Sequence, residues 1–145
     1  AGERLCLTDY FAPREGEPDV VAVQVVTMGP RATEQIDALQ AGGAYTDAFF
    51  LHGLGVQLAE ALAEYVNAHI KAELGMAAIK DACRRYSWGY PAIPDLEDHA
   101  KLFALMPVHD SIGVDLTTAY QLVPEQSTAA LIVHNPAAVY FSVRE

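Results

Sequence analysis

Residues 19–30, DVVAVQVVTMGP, are β-branched and almost uncharged, which predicts a buried strand closed by Gly29-Pro30. Ahead of it, residues 5–12 (LCLTDYFA) form a short apolar segment and residues 13–18 (PREGEP) a turn-rich loop. From Ala32 the pattern becomes helical. Thr33 to Gln40 predict a short helix broken by Gly42-Gly43. A long helix is predicted from about Thr46 to Leu74, with Thr46 as N-cap and Gly75 as C-cap. Leu51, Leu54, Leu58, Leu62, Tyr65 and Ile70 recur at helical spacing and predict one apolar stripe facing the core. The opposite face carries Gln57, Glu60, Glu64, Asn67 and Lys71, either a solvated face or a docking face for a partner domain. Gly53 and Gly55 each weaken the helix by about 1 kcal/mol, which points to a kink or a close contact there.

Downstream, Asp95 caps a predicted helix over Leu96 to Met106, stopped before Pro107. Ile112, Val114 and Leu116 alternate as in a strand. TAALIVHN (128–135) and AVYFSV (138–143), joined by Asn135-Pro136, predict a hairpin. The order strand, helices, loop, helix, strands predicts an α+β fold with a largely antiparallel sheet in a single domain, 1–145.

Composition narrows the function classes. Apolar residues are 52% of the chain and charged residues 19%, which excludes wholesale disorder. The apolar uncharged runs are near ten residues, as in VVAVQVVTMG (20–29), and fall well short of the roughly 20 a membrane span needs. No signal peptide is visible, so the expectation is no membrane and a cytoplasmic location. The chain begins with Ala1, not methionine, and is expected to be a piece of something longer. A net charge of −10 repels phosphate backbones, so nucleic acid is not an expected partner, whereas a cationic or zwitterionic ligand is easily accommodated. Cys6 and Cys83 have no CxxC or Cys/His spacing, which fits free thiols and gives zinc no support.

The densest chemistry lies in residues 84–98, RRYSWGYPAIPDLED. Pro91 and Pro94 fix φ and keep Tyr90 and Ile93 out of the helical region. Gly89 permits close backbone approach. Arg85 offers a planar fork for a carboxylate, and Tyr86, Trp88 and Tyr90 offer faces for a flat ring or a cation. The ordinary alternative is a loop whose aromatics fill the core and whose arginine pairs with a nearby acid. The histidines, His52, His69, His99, His109 and His134, have no metal spacing on one helix face. Ser87 and Ser127 lack a nucleophile-elbow context, and GPRA and AGGA lack a dinucleotide-binding context.

RRYSWGYPAIPDLED, LFAL and IGVDLTTAYQLVPEQSTAALIVHNPAAVYFSV resemble, in order, the C-terminal reactivation domain of cobalamin-dependent methionine synthase. LCLTDYFAP and LAEALAEYVNAHIKAELG resemble it as well, so the likeness spans nearly the whole chain. The resemblance implies a C-shaped α+β molecule around a twisted antiparallel sheet. It implies a domain that binds S-adenosylmethionine and presents its methyl group for reductive methylation of inactive cob(II)alamin, in methionine biosynthesis. The cobalamin is bound by a neighbouring domain of the same polypeptide, and a flavodoxin-like or other flavoprotein supplies an electron. The isolated chain is then not itself catalytic.

By position, the resemblance makes Arg85 the carboxylate grip and Gly89 and Tyr90 the wall of the adenosine. It makes Tyr140 and Phe141 the aromatic pair, with no hydroxyl available at Phe141, and Ile93 a packing residue. Glu60, with Tyr90, becomes a contact for the cobalamin domain. The family's early Tyr-x-Asp-Trp-type segment, whose aspartate binds the ligand's ammonium, has no counterpart here, and Asp9 does not match it. The chain is therefore expected to lack the N-terminal part of the family domain, at a cost in affinity. The alternative is a non-catalytic docking domain that touches the cobalamin domain and a flavoprotein without binding S-adenosylmethionine. A free-standing small enzyme is a third idea, but no base or nucleophile supports it.

Overall fold

The structure is a computed structural model and describes residues 6–140. A single 3-10 turn, Leu7–Tyr10, buries the Tyr10 ring. Then follow β1 (Ala22–Thr27), α1 (Pro30–Ala41), α2 (Tyr45–Glu73) and β2 (Arg84–Tyr86). A second 3-10 turn, Leu96–Asp98, leads into α3 (His99–Leu105) and α4 (Val108–Ile112). The chain then forms β3 (Asp115–Leu116), β4 (Leu122–Val123) and β5 (Ser127–Val133). β5 is the central strand of a three-stranded sheet ordered β1-β5-β2, and both pairings are antiparallel. β3 and β4 form a separate two-stranded hairpin.

Local chemistry accounts for most element boundaries. α1 starts ahead of Thr33 because Pro30 occupies its first turn, where no amide donor is missed. α2 starts at Tyr45 with Ala44 in the cap position and no side-chain cap, so Thr46 is not the N-cap that the sequence suggested. At the far end Gly75 takes the left-handed conformation (φ 70°) just past Leu74, as a helix stop requires. Asp95 does cap the following turn: its carboxylate accepts from the Glu97 amide at 2.9 Å.

The stretch expected to alternate from Ile112 is divided in the structure. Ile112 ends α4, and Thr117 Oγ1 accepts from the amides of Ala119 and Gln121, closing a turn between β3 and β4. The Asn135-Pro136 turn is present, with Asn135 Oδ1 accepting from Ala137 and its carbonyl from Ala138. Residues 138–140 do not join a strand, and the rest of the expected partner, residues 141–143, lies outside the described residues.

The largest correction concerns α2. Leu54, Leu58, Leu62 and Tyr65 are 55, 44, 36 and 73% exposed, so these four do not face the core, whereas Leu51 is partly buried and Ile70 packs against a core cluster. The buried face is instead Ala48, Gly55, Ala59 and Ala63. Small residues let the helix axis approach the sheet closely, and two glutamines fill the narrow space. Gln24 of β1, 3% exposed, donates to the Ala63 carbonyl at 3.3 Å. Gln126, 2% exposed, lies against Gly55. β1 is therefore a half-buried edge strand, with Val20 and Val21 exposed ahead of it, rather than the fully buried strand its composition predicts. β5, central and near-continuously buried, takes that role.

Two apolar clusters hold the sheet. Tyr10, Tyr86, Val133 and Ala138 pack with Leu7, Phe11, Ala92, Ile93 and Leu131. Ala82, Cys83 and Ile132 pack with Ala22, Ile70, Leu74 and Met76. Ile93 thus does pack in the core, as expected of it.

Candidate functional site

β2 places alternate side chains on opposite sides of the sheet edge. Tyr86 points into the core, 2% exposed, and its hydroxyl donates to the Val139 carbonyl at 2.7 Å. Burial pushes that phenol up to about 12, with the neighbouring Tyr10 and Tyr140 adding to the shift. The Tyr140 ring packs on Tyr86 at 5.2 Å between centroids, and the Arg84 guanidinium lies 5.4 Å over it. Tyr140 is therefore fixed in place, although 65% exposed.

Arg85 points the other way, toward α2. Nε donates to Glu64 Oε1 at 3.1 Å, and Nη2 donates to Glu60 Oε2 at 3.0 Å and lies 2.8 Å from Glu64 Oε1. The side chain is only 14% exposed. Burial alone depresses its pKa, but hydrogen bonds and Coulombic attraction from Glu60 and Glu64 outweigh that and raise it. The arginine is a permanent cation. Nη1 has no hydrogen-bond partner among the described residues.

Arg85 and Glu60 form one wall of a cavity of about 370 Å³, in the size range of small-molecule sites. Tyr86, Ser87, Tyr90, Pro91, Ala92 and Tyr140 complete the lining. The site thus combines one buried guanidinium, a flanking carboxylate and two exposed phenol rings at a sheet edge. Its lining offers a guanidinium suited to an anionic group and phenol faces suited to an apolar or cationic one. Glu60 and Glu64 leave its rim negative, which favours a ligand that also carries positive charge.

The structure brings Arg85, Tyr90, Tyr140 and Glu60 together and leaves Gly89 apart. Gly89 adopts φ 82°, and a Cβ there would stand 3.1 Å from Leu96 Cδ2. The room that the missing side chain leaves is filled by Leu96, and the residue serves the turn closed by its amide on the Ile93 carbonyl (2.8 Å). Phe141 lies outside the described residues. Of the three ring faces expected along the strip, Tyr86 is a core residue. Trp88 packs on His99 at 5.1 Å. Tyr90, 66% exposed, remains for a ligand. Tyr90 and Ser87 also border a second concavity of about 570 Å³ that holds Trp88 and His99.

Two contributors were not assigned from the sequence. Glu64 holds Arg85 side-on, and its only signal was sharing a helix face with Glu60 at i, i+4. Arg84, which steadies Tyr140, had no local signal, because Tyr140 lies far along the chain. The histidines are engaged with neighbours such as Asp115 for His109, Asp19 for His134 and the Tyr120 carbonyl for His99. No cluster of three metal-ligating side chains occurs among the described residues. Cys6 is exposed and Cys83 buried, both free. No helix among the described residues is long and apolar enough to cross a membrane.

Residues 1–145 match the family model for the vitamin B12 dependent methionine synthase, activation domain. Methionine synthase of Mycobacterium tuberculosis (strain ATCC 25618 / H37Rv) is 42% identical over 164 aligned positions, covering 98% of this chain and 14% of that protein. Methionine synthase of Mycobacterium leprae (strain TN) is 38% identical with the same coverage. A crystal structure of the MetH reactivation domain bound to AdoHcy superposes with a TM-score of 0.85 at 23% identity, over 94% of this chain and 46% of that chain. The shared feature is the fold, an α+β domain with antiparallel sheets.

Proposed function

The chain belongs to the activation-domain family of vitamin B12 dependent methionine synthase, and from that premise we propose that it binds S-adenosylmethionine in the Arg85 cavity and presents its methyl group to cobalamin. The observation that carries this reading is the shared cavity: Arg85, Tyr90 and Tyr140, distant in sequence, line one space of small-molecule size. The AdoHcy held by the solved relative is the demethylated form of the same ligand.

In this reading Arg85 takes the amino-acid carboxylate through Nη1. A charge-assisted hydrogen bond of that kind contributes about 1.5 to 3 kcal/mol. Tyr90 and Tyr140 flank the rest of the ligand, and their faces favour the sulfonium by about 0.5 to 2 kcal/mol. Glu64 keeps the guanidinium from turning, and Glu60 lies on the wall nearest the positive charge and the approaching cobalamin domain. The domain contributes orientation rather than acid–base chemistry. Cobalamin, held by a neighbouring domain, supplies the cobalt that accepts the methyl, with one electron from a flavoprotein reductase. The role belongs to methionine biosynthesis in the cytoplasm.

A docking role without ligand is a second reading. It is favoured by one observation: Glu60 and Glu64 already neutralise Arg85, so a ligand carboxylate must share the guanidinium with them. Calorimetric titration separates the two. With S-adenosylmethionine, Arg85→Ala is expected to weaken binding by about 10- to 100-fold. 5′-Methylthioadenosine, which lacks the amino-acid tail, is expected to bind both proteins equally. Equal S-adenosylmethionine binding by wild type and variant removes Arg85 from the site. No heat with either ligand, together with a measurable complex with the cobalamin domain, leaves the docking reading.

A further inference from the structure

Leu54, Leu58, Leu62 and Tyr65 lie at spacings of four, four and three along α2, so they share one side of the helix. Phe50, 67% exposed, extends the patch toward the helix start. Monomeric proteins rarely leave so continuous an apolar surface in water. From Ala48 to Ala59 the helix carries no Asp, Glu, Lys or Arg, a composition that suits a dry interface.

Two observations bear on what covers it. First, Glu60 follows Leu58 by two residues and so stands about 200° around the helix axis. The one α2 side chain that lines the Arg85 cavity therefore lies on a different side of the helix from the stripe. Second, this chain superposes along 94% of its length on only 46% of the solved reactivation-domain chain. The rest of that chain is attached to the same fold. We propose that the outer face of α2 is an intramolecular interface, covered in the parent polypeptide by a further segment of the same activation domain with a complementary apolar face. The proposal rests on family membership and not on ligand binding at Arg85.

The test is thiol accessibility in a Cys6→Ser background, with the buried Cys83 retained. Leu58→Cys reports on the stripe, and Lys101→Cys, at a side chain 77% exposed, is the control. Maleimide labelling is timed in residues 1–145 alone and in the whole gene product that carries them. The expected result is rapid labelling of position 58 in the short chain and at least tenfold slower labelling in the whole product, with position 101 unchanged. Equal rates at position 58 overturn the proposal, as does a gene product no longer than residues 1–145. Protection in the short chain that grows with concentration, with the mass of two copies, assigns the face to self-association instead. Protection that disappears when the cobalamin-binding domain is deleted assigns it to that domain. A Leu58→Asp variant that stays monomeric and folded alone, yet destabilises the whole product, supports the interface by an independent route.

Discussion

Substituting Gly55 with alanine puts the packing of α2 to a quantitative test. An added Cβ would stand 2.9 Å from Gln126 Cγ, with Gln126 Cβ at 3.7 Å and Cδ at 3.8 Å. Carbon atoms attract at about 3.5 to 4.0 Å, so the first contact is about 0.6 Å too short. Gln126 cannot swing aside cheaply. Its Oε1 accepts from Thr33 at 3.1 Å, its Nε2 lies 3.2 Å from His52 Nδ1, and it is 2% exposed. Relief requires helix displacement or loss of a buried hydrogen bond. Overpacking of this kind costs about 1 to 3 kcal/mol, against about 0.5 to 1 kcal/mol gained from replacing glycine in a helix. The net expectation is a loss of about 0 to 2.5 kcal/mol, centred near 1.

Gly53 supplies the internal control, because a Cβ there meets nothing within 4 Å. Gly53→Ala is expected to gain about 0.5 to 1 kcal/mol. The glycine gain is common to both variants, so they should differ by the overpacking cost, about 1 to 3 kcal/mol, in urea unfolding followed by circular dichroism. At slopes of about 1 to 3 kcal/mol/M their midpoints separate by about 1 M, on opposite sides of wild type. A Gly55→Ala midpoint above wild type, with unchanged slope, refutes the close approach of α2 to Gln126.

Two further predictions concern pH. Tyr86 has its folded pKa raised to about 12 from an ordinary 10, so the stability tied to its neutral form is complete below pH 10 and lost as pH rises toward 12. The loss is on the order of 2 kcal/mol. Tyr86→Phe should weaken the protein by about 0.5 to 1.5 kcal/mol at pH 7 through the unpaired Val139 carbonyl, and should flatten the decline above pH 10 in denaturant midpoints. An unchanged alkaline limb in that variant contradicts the assignment. At the acid end, Asp19 is held below the usual carboxylate range by amide hydrogen bonds from Ala12 and Val20, with a smaller contribution from His134. Its stabilisation is present above the ordinary carboxylate pKa and lost as pH falls through the depressed value. Asp19→Asn should make thermal stability less steep in pH on that limb, and an identical acid profile counts against it.

Elements that depend on local chemistry were legible in the chain. Gly75 ends the long helix, Asp95 caps the turn into α3, and Pro91 and Pro94 keep the strip after β2 out of helix, all through backbone preferences that act over a few residues; Pro30, read as the strand's end, also opens α1. Arg85 was legible as a group that pairs with carboxylates, and the carboxylates it meets in the structure are those of Glu60 and Glu64, the nearby acids of the ordinary alternative. What covers each face of α2 was not legible. Periodicity shows that Leu54, Leu58 and Leu62 share a side, but burial depends on which surface the rest of the chain supplies. Here β1 presents Gln24 to the Ala63 carbonyl, and Gln126, just ahead of β5, lies against Gly55, so the small-residue face of α2 turns inward.

The site divides along the same line. Residue types at 85, 90 and 140 are written in the sequence. Their convergence is a tertiary event, because β5 must lie between β1 and β2 before Arg85 turns to Glu60 and Glu64 while Tyr86 turns to Tyr140. Strand alternation reverses with a one-residue slip in register, so no local pattern specifies which of Arg84 and Arg85 faces the helix. The pairing of Arg85 with Ile132 decides it.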